Sequence, residues 1–392
     1  MRILYHHRTQ AEDAQGIHIQ EMLSAFRHAG HEVELVALSQ SNNGKTTTSS
    51  RQKLWKRLTD ITPNWLYEIM SLGYNIYGYK ALMQAIRKKR PDFIYERYSL
   101  NTFCGSLVSK RLRIPLILEV NAPLCFEQNM LGKLVFKRLA KLTERWICSN
   151  STWTVAVTNV LKQFLINNNV PVNKIITMHN GINPQIFNPT ISSDSIRKKY
   201  KLEKKLVIGF VGWFRTWHGI EMLLEVLYEI KSIHQDCRLL LVGDGPAYPE
   251  LYSYAEQNGL LSTVHFAGPV NRDEIPQHIA AMDMAVQPSA TEYACPMKII
   301  EYMAMAKCII APDQPNINEL LKNNRNAFLF RKHDKTDLRN VLLNAIENRK
   351  LRKVYGQAAH ETLVKERMFW SANADKIVNR VSDGVKHKTT TD

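Results

Sequence analysis

Short apolar runs alternate with amphipathic stretches along most of the chain. Residues 2–5 read as a buried strand, and residues 17–29 carry apolar side chains on one face at helical spacing. Gly30 follows at the position where helices commonly end, and residues 33–38 predict the next strand. A strand, a loop, a helix and a strand within about 40 residues predict a βαβ unit.

The alternation continues through the first half and returns after residue 205. Strands are predicted at 93–95, 114–120, 153–157, 206–211, 238–242, 264–266, 284–287 and 308–310, and helices of the second half at 220–233, 249–258, 273–281 and 299–306. The polar stretch 188–205 is expected to be a linker. These patterns predict an α/β protein with two doubly wound domains at 1–190 and 203–370, with a helix at 371–385 that crosses back to the first domain. Such sheets bind ligands beyond the carboxyl ends of their strands.

Composition agrees with a globular chain of two domains. The sequence has 392 residues, of which 45% are hydrophobic and 22% charged. Its six cysteines, at 104, 125, 148, 237, 295 and 308, form no Cys-x-x-Cys pair, which argues against a zinc site and suggests a reducing cytoplasm. We find neither a signal peptide nor an apolar run that approaches the ~20 residues of a membrane span.

The net charge of +16 belongs mainly to the first half, where residues 1–190 hold 24 Lys/Arg against 12 Asp/Glu. Nucleic acid, anionic lipid, an acidic acceptor or a merely solvated surface would each explain this excess. Within it, residues 51–90 mix cations with Trp and Tyr, a composition that suits a bilayer interface. The alternative is a helical insertion whose aromatic side chains belong to the core.

The segment 292–301 carries the most specific chemistry. A turn with Pro296 leads into the predicted helix 299–306, with Lys298 just before the helix and Glu301 one turn in. Free N–H groups at a helix start, together with a cation, suit a diphosphate, and a carboxylate suits sugar hydroxyls. The pairing predicts a nucleotide-sugar site. The alternative is a capped buried helix, although a carboxylate among Ile299, Ile300 and Met303 would then need a partner.

Three further loops follow strands of the second half, at 212–219, 243–246 and 268–272. The first has glycines at both ends, Gly212 and Gly219, and holds Arg215 and His218 between them, so it could receive phosphate oxygens. A plain connecting loop is about as plausible for it, and the other two loops are weak signals when taken alone.

Together these residues resemble family-4 retaining glycosyltransferases of the GT-B fold, of the bacterial exopolysaccharide or cell-surface glycan type. The similarity is strongest from Leu206 to Pro312, at Gly212–Gly219, Gly243-Asp244-Gly245-Pro246 and the strand ending at Gly268, and His179-Asn180-Gly181 matches a further landmark. The resemblance implies two Rossmann-like domains that face a central cleft. It also implies transfer of a sugar from a nucleotide-diphosphate donor with retention, without a metal or another cofactor.

The resemblance also implies roles for individual residues. Arg215, Lys298 and Glu301 would act in catalysis, with Asn121 and Glu127 on the acceptor side. Glu119 and Arg97 would contact the acceptor. The donor, a UDP- or GDP-sugar, would be held by Gly16, Gly212, His218, Gly219, Gly243, Asp244, Val270, Tyr293, Pro296, Met297 and Ile299.

Three positions depart from the family pattern. Trp213 stands where an Arg is common, and His218 where a Lys is common. Tyr293 takes the position of the first of two paired glutamates, while Glu292 lies one residue away. The identity of the donor sugar is therefore open.

Expected partners are the donor, a glycan or lipid-linked oligosaccharide acceptor and an anionic membrane surface at the inner face of the plasma membrane, with no nucleic acid. The rival hypotheses are a nucleic-acid-binding basic protein and a non-catalytic relative on the same scaffold. A Rossmann oxidoreductase would need a Gly-x-Gly-x-x-Gly run after the first strand, which the loop 9–16 lacks.

Overall fold

The computed structural model describes residues 1–9, 13–37 and 62–389. They divide into two units, one formed by Met1–His179 with Trp370–Asp392 and the other by Asn180–Phe369. Each unit has a parallel sheet of six strands, and helices connect successive strands except between the last two strands of the second unit. As expected for sheets that are covered on both faces, buried and largely apolar runs form inner strands such as Leu116–Val120, Leu206–Val211 and Cys237–Val242.

The sheet of the first unit has the order β2-β1-β3-β4-β5-β6. Its strands are β1 Arg2–His7, β2 Glu32–Ala37, β3 Phe93–Arg97, β4 Leu116–Val120, β5 Trp153–Ala156 and β6 Ile175–Thr177. The described helices of this unit are α1 Asp13–His28, α2 Asn64–Lys88, α3 Cys104–Leu112, α4 Leu124–Met130, α5 Lys137–Asn150 and α6 Asn159–Asn167, together with the last helix of the chain, α14 Trp370–Thr389.

Two helix pairs complete the core of the first unit. Helix α2 packs against α3, and Tyr74, Leu82, Cys104 and Val108 share one buried cluster. Helix α14 packs against α1 and buries an apolar stripe that includes Ile377. The C-terminal helix is therefore an integral part of the unit that also contains the N-terminus.

The sheet of the second unit has the order β12-β11-β10-β7-β8-β9. Its strands are β7 Leu206–Val211, β8 Cys237–Val242, β9 Val264–Gly268, β10 Met284–Val286, β11 Cys308–Asp313 and β12 Phe328–Arg331. The helices are α7 Asp194–Lys199, α8 Ile220–Ile230, α9 Tyr248–Gln257, α10 Ile275–Ala280, α11 Met297–Ala304, α12 Lys335–Glu347 and α13 Arg349–Lys365. Because all pairings are parallel, the loops after β7, β8 and β9 lie at one edge of the sheet.

The predicted fold class is confirmed by these two sheets. Helices α3, α4 and α5 and strand β12 are not among the predicted elements. The division between the units falls at His179/Asn180, ahead of the expected linker, because residues 180–202 contribute their packing to the second unit. Of the stretch 51–90, residues 51–61 lie outside the described residues, and the remainder is mostly helix α2.

In the parts of the chain that the structure describes, no helix combines the length and the apolarity needed to cross a bilayer.

Candidate functional site

Three glycine turns meet at the carboxyl ends of β7, β8 and β9. Gly212 donates its N–H to the carbonyl of Val242, and Gly243 donates to that of Gly268, both at 2.9 Å. Gly243 has a φ of 130°, and a Cβ at this position would lie 2.1 Å from the carbonyl oxygen of Gly212. Backbone therefore packs directly on backbone here, which only glycine allows.

Helix α11 is fixed beside these turns. It begins after Pro296, and its Tyr302 hydroxyl accepts a hydrogen bond of 3.0 Å from the backbone N–H of Val211, the last residue of β7. The apolar side chains of the helix, including Ile299, are buried beneath it. This anchoring brings the side chain of Lys298, in the first turn of α11, next to Gly212.

Lys298 lies over the glycine turn after β7. Its ammonium is 4.3 Å from the centroid of the Phe210 ring, and a Cβ added to Gly212 would lie 2.9 Å from its Nζ. No described carboxylate forms an ion pair with it. Burial of the ammonium lowers the pKa of Lys298 to about 7, although Glu301 partly offsets this effect. A dianionic ligand would restore the full charge.

Glu301 is buried and has one strong partner. Arg272, in the loop after β9, donates from Nη1 to Oε1 of Glu301 at 2.5 Å. The guanidinium also lies over the ring of Phe187, 4.6 Å from its centroid. Oε2 of Glu301 accepts no hydrogen bond from a described residue, so it can accept one from a ligand. The carboxylate is thus held by one oxygen and available at the other.

The loop between β7 and α8 contributes a second cation. Arg215 stacks on Trp217, with the guanidinium carbon 4.9 Å from the ring centroid, and Trp213 and Trp217 are both exposed. Nδ1 of His218 lies 2.6 Å from the carbonyl oxygen of Trp213. Because a carbonyl only accepts, Nδ1 carries the proton. Burial and the neighbouring Lys298 lower the pKa of His218 to about 3, so its ring is neutral and Nε2 is an acceptor.

Side-chain hydrogen bonds hold the segment before α11 in place, but Glu292 in this segment is not part of the buried site. Asn316 donates to the carbonyls of Thr291 and Ala294, at 2.9 and 2.6 Å. Glu292 is exposed and paired with Lys332 at 2.7 Å, and this pairing lowers its pKa. Tyr293, the residue in family register, is half-buried. Of the two acids in 292–301, the structure buries only Glu301.

A second buried cluster occurs in the first unit, at the carboxyl ends of β3 and β4. Oε1 of Glu119 accepts hydrogen bonds from Arg97, at 2.9 Å, and from Asn121. Oε2 accepts one of 2.6 Å from the Tyr95 hydroxyl. Burial acts to raise the pKa of Glu119, but His18 and Arg97 outweigh it and lower the pKa. Arg97, the predicted acceptor contact, is buried in this network.

Sequence reasoning did not identify the buried partner of Glu96. Its Oε2 lies 2.6 Å from Nδ1 of His6, whose Nε2 is 3.0 Å from the Tyr74 hydroxyl. A Cβ at Gly105 would lie 1.7 Å from that carboxylate oxygen. Side chains adjacent in sequence on a strand point to opposite faces, so Glu96 and Arg97 serve two different networks.

The remaining predicted site residues occupy the following places. Gly16 lies inside helix α1 and not in the loop before it, because the helix begins at Asp13. The backbone carbonyl of Asp244 accepts a hydrogen bond of 2.7 Å from the backbone N–H of Phe214, and this bond supports the glycine turn. Gly219 is the residue before α8, Val270 follows β9 and Glu127 lies half-buried in α4.

Within the ranges 1–9, 13–37 and 62–389, no three His, Cys, Asp or Glu side chains are grouped so that they could hold a metal ion.

Comparison with known proteins places both units in glycosyltransferase families. Residues 15–186 match the model of Glycosyltransferase Family 4, and residues 192–362 match that of Glycosyl transferases group 1. An uncharacterized glycosyltransferase of Methanocaldococcus jannaschii is 27% identical over 300 residues, which are 76% of this chain and 77% of that protein. A second one from that organism is matched over only 59% of its length.

Two further proteins extend the comparison. The UDP-Gal:alpha-D-GlcNAc-diphosphoundecaprenol alpha-1,3-galactosyltransferase of Escherichia coli is 25% identical over 69% of this chain and 70% of its own. The crystal structure of Anabaena HepE in complex with UDP superposes with a TM-score of 0.75 and 18% identity, over 98% of this chain and 100% of that one. The family matches and the shared architecture show that the chain belongs to the family-4-type glycosyltransferases of the GT-B fold.

Proposed function

We propose that this glycosyltransferase moves a sugar, with retention, from a nucleotide-diphosphate sugar to a glycan or lipid-linked acceptor during synthesis of a surface polysaccharide. The observation that carries the donor side is the pair Arg272–Glu301 beside Lys298 at the start of α11. Lys298 faces the glycine turn where a diphosphate would lie. Glu301 offers Oε2 to hydroxyls of the ribose or the sugar.

The costly event is departure of the nucleoside diphosphate, which builds negative charge on the leaving oxygens. Lys298, Arg215 and the backbone N–H groups near Gly212 and Met297 are fixed donors for that charge. Loss of one such donor typically costs about 2.7–4 kcal/mol of transition-state stabilisation. These cations make a metal ion unnecessary, so we expect a chelator to leave turnover unchanged. His218 serves as a neutral acceptor through Nε2 and not as a phosphate cation.

On the acceptor side, Glu119 is better suited to positioning than to proton transfer. Both of its oxygens already accept hydrogen bonds, and its lowered pKa makes it a weak base. We propose that it orients Asn121 and Arg97 toward the acceptor. Because an amide cannot take a proton, the acceptor's proton passes to Glu127 or to the departing phosphate.

Names of relatives support this assignment of substrates. The galactosyltransferase named above is described with a UDP-sugar donor and a diphosphoundecaprenol acceptor, and HepE has been crystallised with UDP and with UDP-glucose. A lipid-linked acceptor would place this enzyme at the inner face of the plasma membrane.

A panel of UDP-, GDP- and other nucleotide-sugars tests the proposal by thermal shift and by donor hydrolysis. A ligand that binds only the folded state raises the melting temperature. We expect one nucleotide to stabilise the second unit and its sugar conjugate to be hydrolysed slowly. Absence of binding at millimolar donor would refute the proposal, as would retention on nucleic acid with no response to any nucleotide-sugar.

Substitution of the two acids gives a matched comparison. Glu301→Gln should lower kcat/KM for the donor by about 10- to 100-fold, because a charge-assisted hydrogen bond contributes about 1.5–3 kcal/mol. Glu292→Gln should change it little, because that side chain is exposed and paired with Lys332. Steady-state kinetics and circular dichroism on both variants check this. Equal losses would show that the buried acid has no special role.

A further inference from the structure

Helix α5 presents an exposed face on which apolar and basic side chains are sorted into two stripes. Leu139, Leu142 and Trp146 follow one another at helical spacing, and all are exposed, Leu142 by 61%. Arg138, Lys141 and Arg145 form the adjacent exposed stripe. We call these six residues the α5 face. Its opposite side, with Ala140 and Ile147, is buried in the first unit.

A groove of about 680 Å³ runs along the apolar stripe, between α5, α3 and residues 169–171. Its walls include Phe103, Leu107 and Pro171 beside Leu142 and Trp146, and Arg145 also lines it. Phe103 and Trp146 meet edge to face, with their ring centroids 6.3 Å apart. The walls of the groove are mostly apolar, so they offer apolar contact to hydrocarbon.

The apolar surface continues into the segment before α5. Met130 is 70% exposed and Leu131 64%, and Val135 and Phe136 are exposed as well. The segment is nevertheless anchored, because the buried carboxylate of Glu68 accepts the backbone N–H groups of Val135 and Phe136. These side chains are therefore held outward by a defined backbone.

The charge of this surface has one sign. Between residues 129 and 150 the cations are Lys133, Lys137, Arg138, Lys141 and Arg145, and the single acid is Glu144. Glu144 is buried, where it accepts from the Tyr98 hydroxyl and Asn168, both at 3.0 Å. No carboxylate of this segment therefore offsets the cations at the surface.

We infer that the α5 face and the adjoining segment 130–136 rest on an anionic lipid bilayer. Apolar side chains would enter the interface while the flanking cations meet lipid phosphates, which is the arrangement that holds interfacial helices on membranes. A nucleic acid would match the cations but would leave the leucine stripe in water. The inference rests on the proposed membrane location and moves the contact from the predicted stretch 51–90 to α5.

Co-sedimentation with vesicles tests the inference independently of catalysis. We expect the full chain to bind vesicles of phosphatidylcholine with phosphatidylglycerol, to bind phosphatidylcholine alone weakly and to be released by salt. Arg138→Gln with Lys141→Gln should weaken binding about thirtyfold, since each cation near an anionic surface contributes about 1 kcal/mol. Leu142→Glu should weaken it as well. The matched control Val354→Glu, at an exposed position of α13 in the second unit, should bind like the wild type.

Three outcomes would overturn the inference. The first is no binding of the wild type to anionic vesicles at low salt. The second is loss of binding in Ile76→Glu, an exposed position of α2, but not in Leu142→Glu, which would return the contact to the stretch 51–90. The third is a dimer that light scattering detects without vesicles and that Leu142→Glu converts to a monomer. That result would make the α5 face a contact between two copies of the chain. Donor binding by thermal shift should remain unchanged in all four variant proteins, which separates this test from that of the transferase activity.

Discussion

At the scale of single residues, the candidate site depends on a carboxylate that the sequence reveals and on a partner that it does not. Glu301 is conspicuous because a charged side chain interrupts an apolar helix face. Arg272 lies 29 residues earlier, in a loop that gives no such signal. It reaches Glu301 only because the loop after β9 and the start of α11 share one edge of the sheet. The strand order, which the pattern of residues does not encode, decides that contact.

The Arg272–Glu301 pair should behave as a coupled unit. Arg272→Gln leaves a buried carboxylate without its cation, so we expect a loss of stability of about 3 kcal/mol and weaker donor binding. In Arg272→Gln/Glu301→Gln both charges are gone, and stability should largely return while donor binding stays weak. Denaturant unfolding and donor titration of the four proteins measure both effects. Additive stability losses would contradict the coupling.

The ammonium of Lys298 should couple donor binding to pH. Its pKa of about 7 means that the free enzyme holds it mostly neutral at about pH 8, whereas a bound diphosphate favours the charged form. Donor binding at that pH should therefore take up a proton, and affinity should fall as the pH rises above 7. In the unfolded chain Lys298 has the ordinary lysine pKa, so between about pH 7 and that pKa the unfolded state binds a proton that the folded state does not. Over this range Lys298 therefore makes the free energy of unfolding rise with pH.

Calorimetry of UDP binding in two buffers with different heats of ionisation measures that uptake. Lys298→Met should abolish it, and Lys332→Met, which removes the ammonium paired with Glu292, should not. Equal uptake in Lys298→Met and the wild type would assign the proton to another group.

At the scale of elements, the turn after β8 depends on the absence of a side chain. Gly243→Ala should destabilise the protein more than Gly259→Ala, although both glycines have positive φ, 130° and 60°. Nothing lies within 4 Å of a Cβ at Gly259, so only backbone strain of about 1–2 kcal/mol is expected there. At Gly243 the Gly212 carbonyl must also move. Thermal unfolding compares the two, and equal losses would deny the close packing of the turns.

Strands and helices were predicted correctly where a single hydrophobic pattern dominates the segment. Buried strands such as β7 are continuous apolar runs with clear ends, here Lys205 before the strand and Gly212 after it, and their predicted bounds lie close to the observed ones. Helices α3 and α5 were missed because their apolar residues divide between a core face and an exposed face, so that Leu139, Leu142 and Trp146 blur the helical period. Gly16 was assigned to a loop, yet α1 includes it, because tertiary packing outweighs the intrinsic preference of one residue.

At the scale of the whole molecule, α14 should carry much of the stability of the first unit. Ile377 is fully buried in that unit, so Ile377→Ala should cost about 2–5 kcal/mol in the unfolding of the first unit. Lys376→Ala, one residue earlier and exposed, should cost almost nothing. Calorimetric unfolding resolves the effect, and we expect the transition of the second unit to be unmoved. A shift of both transitions would mean that the units unfold together.

The path of the chain has a consequence for its biosynthesis. The second unit is a continuous segment, whereas the first is closed only by residues that follow it. During translation Asn180–Phe369 is therefore synthesised before α14, which the earlier unit still lacks at that point. The first unit cannot complete its core until α14 has been made. Until then the apolar face of α1 is exposed and accessible to chaperones.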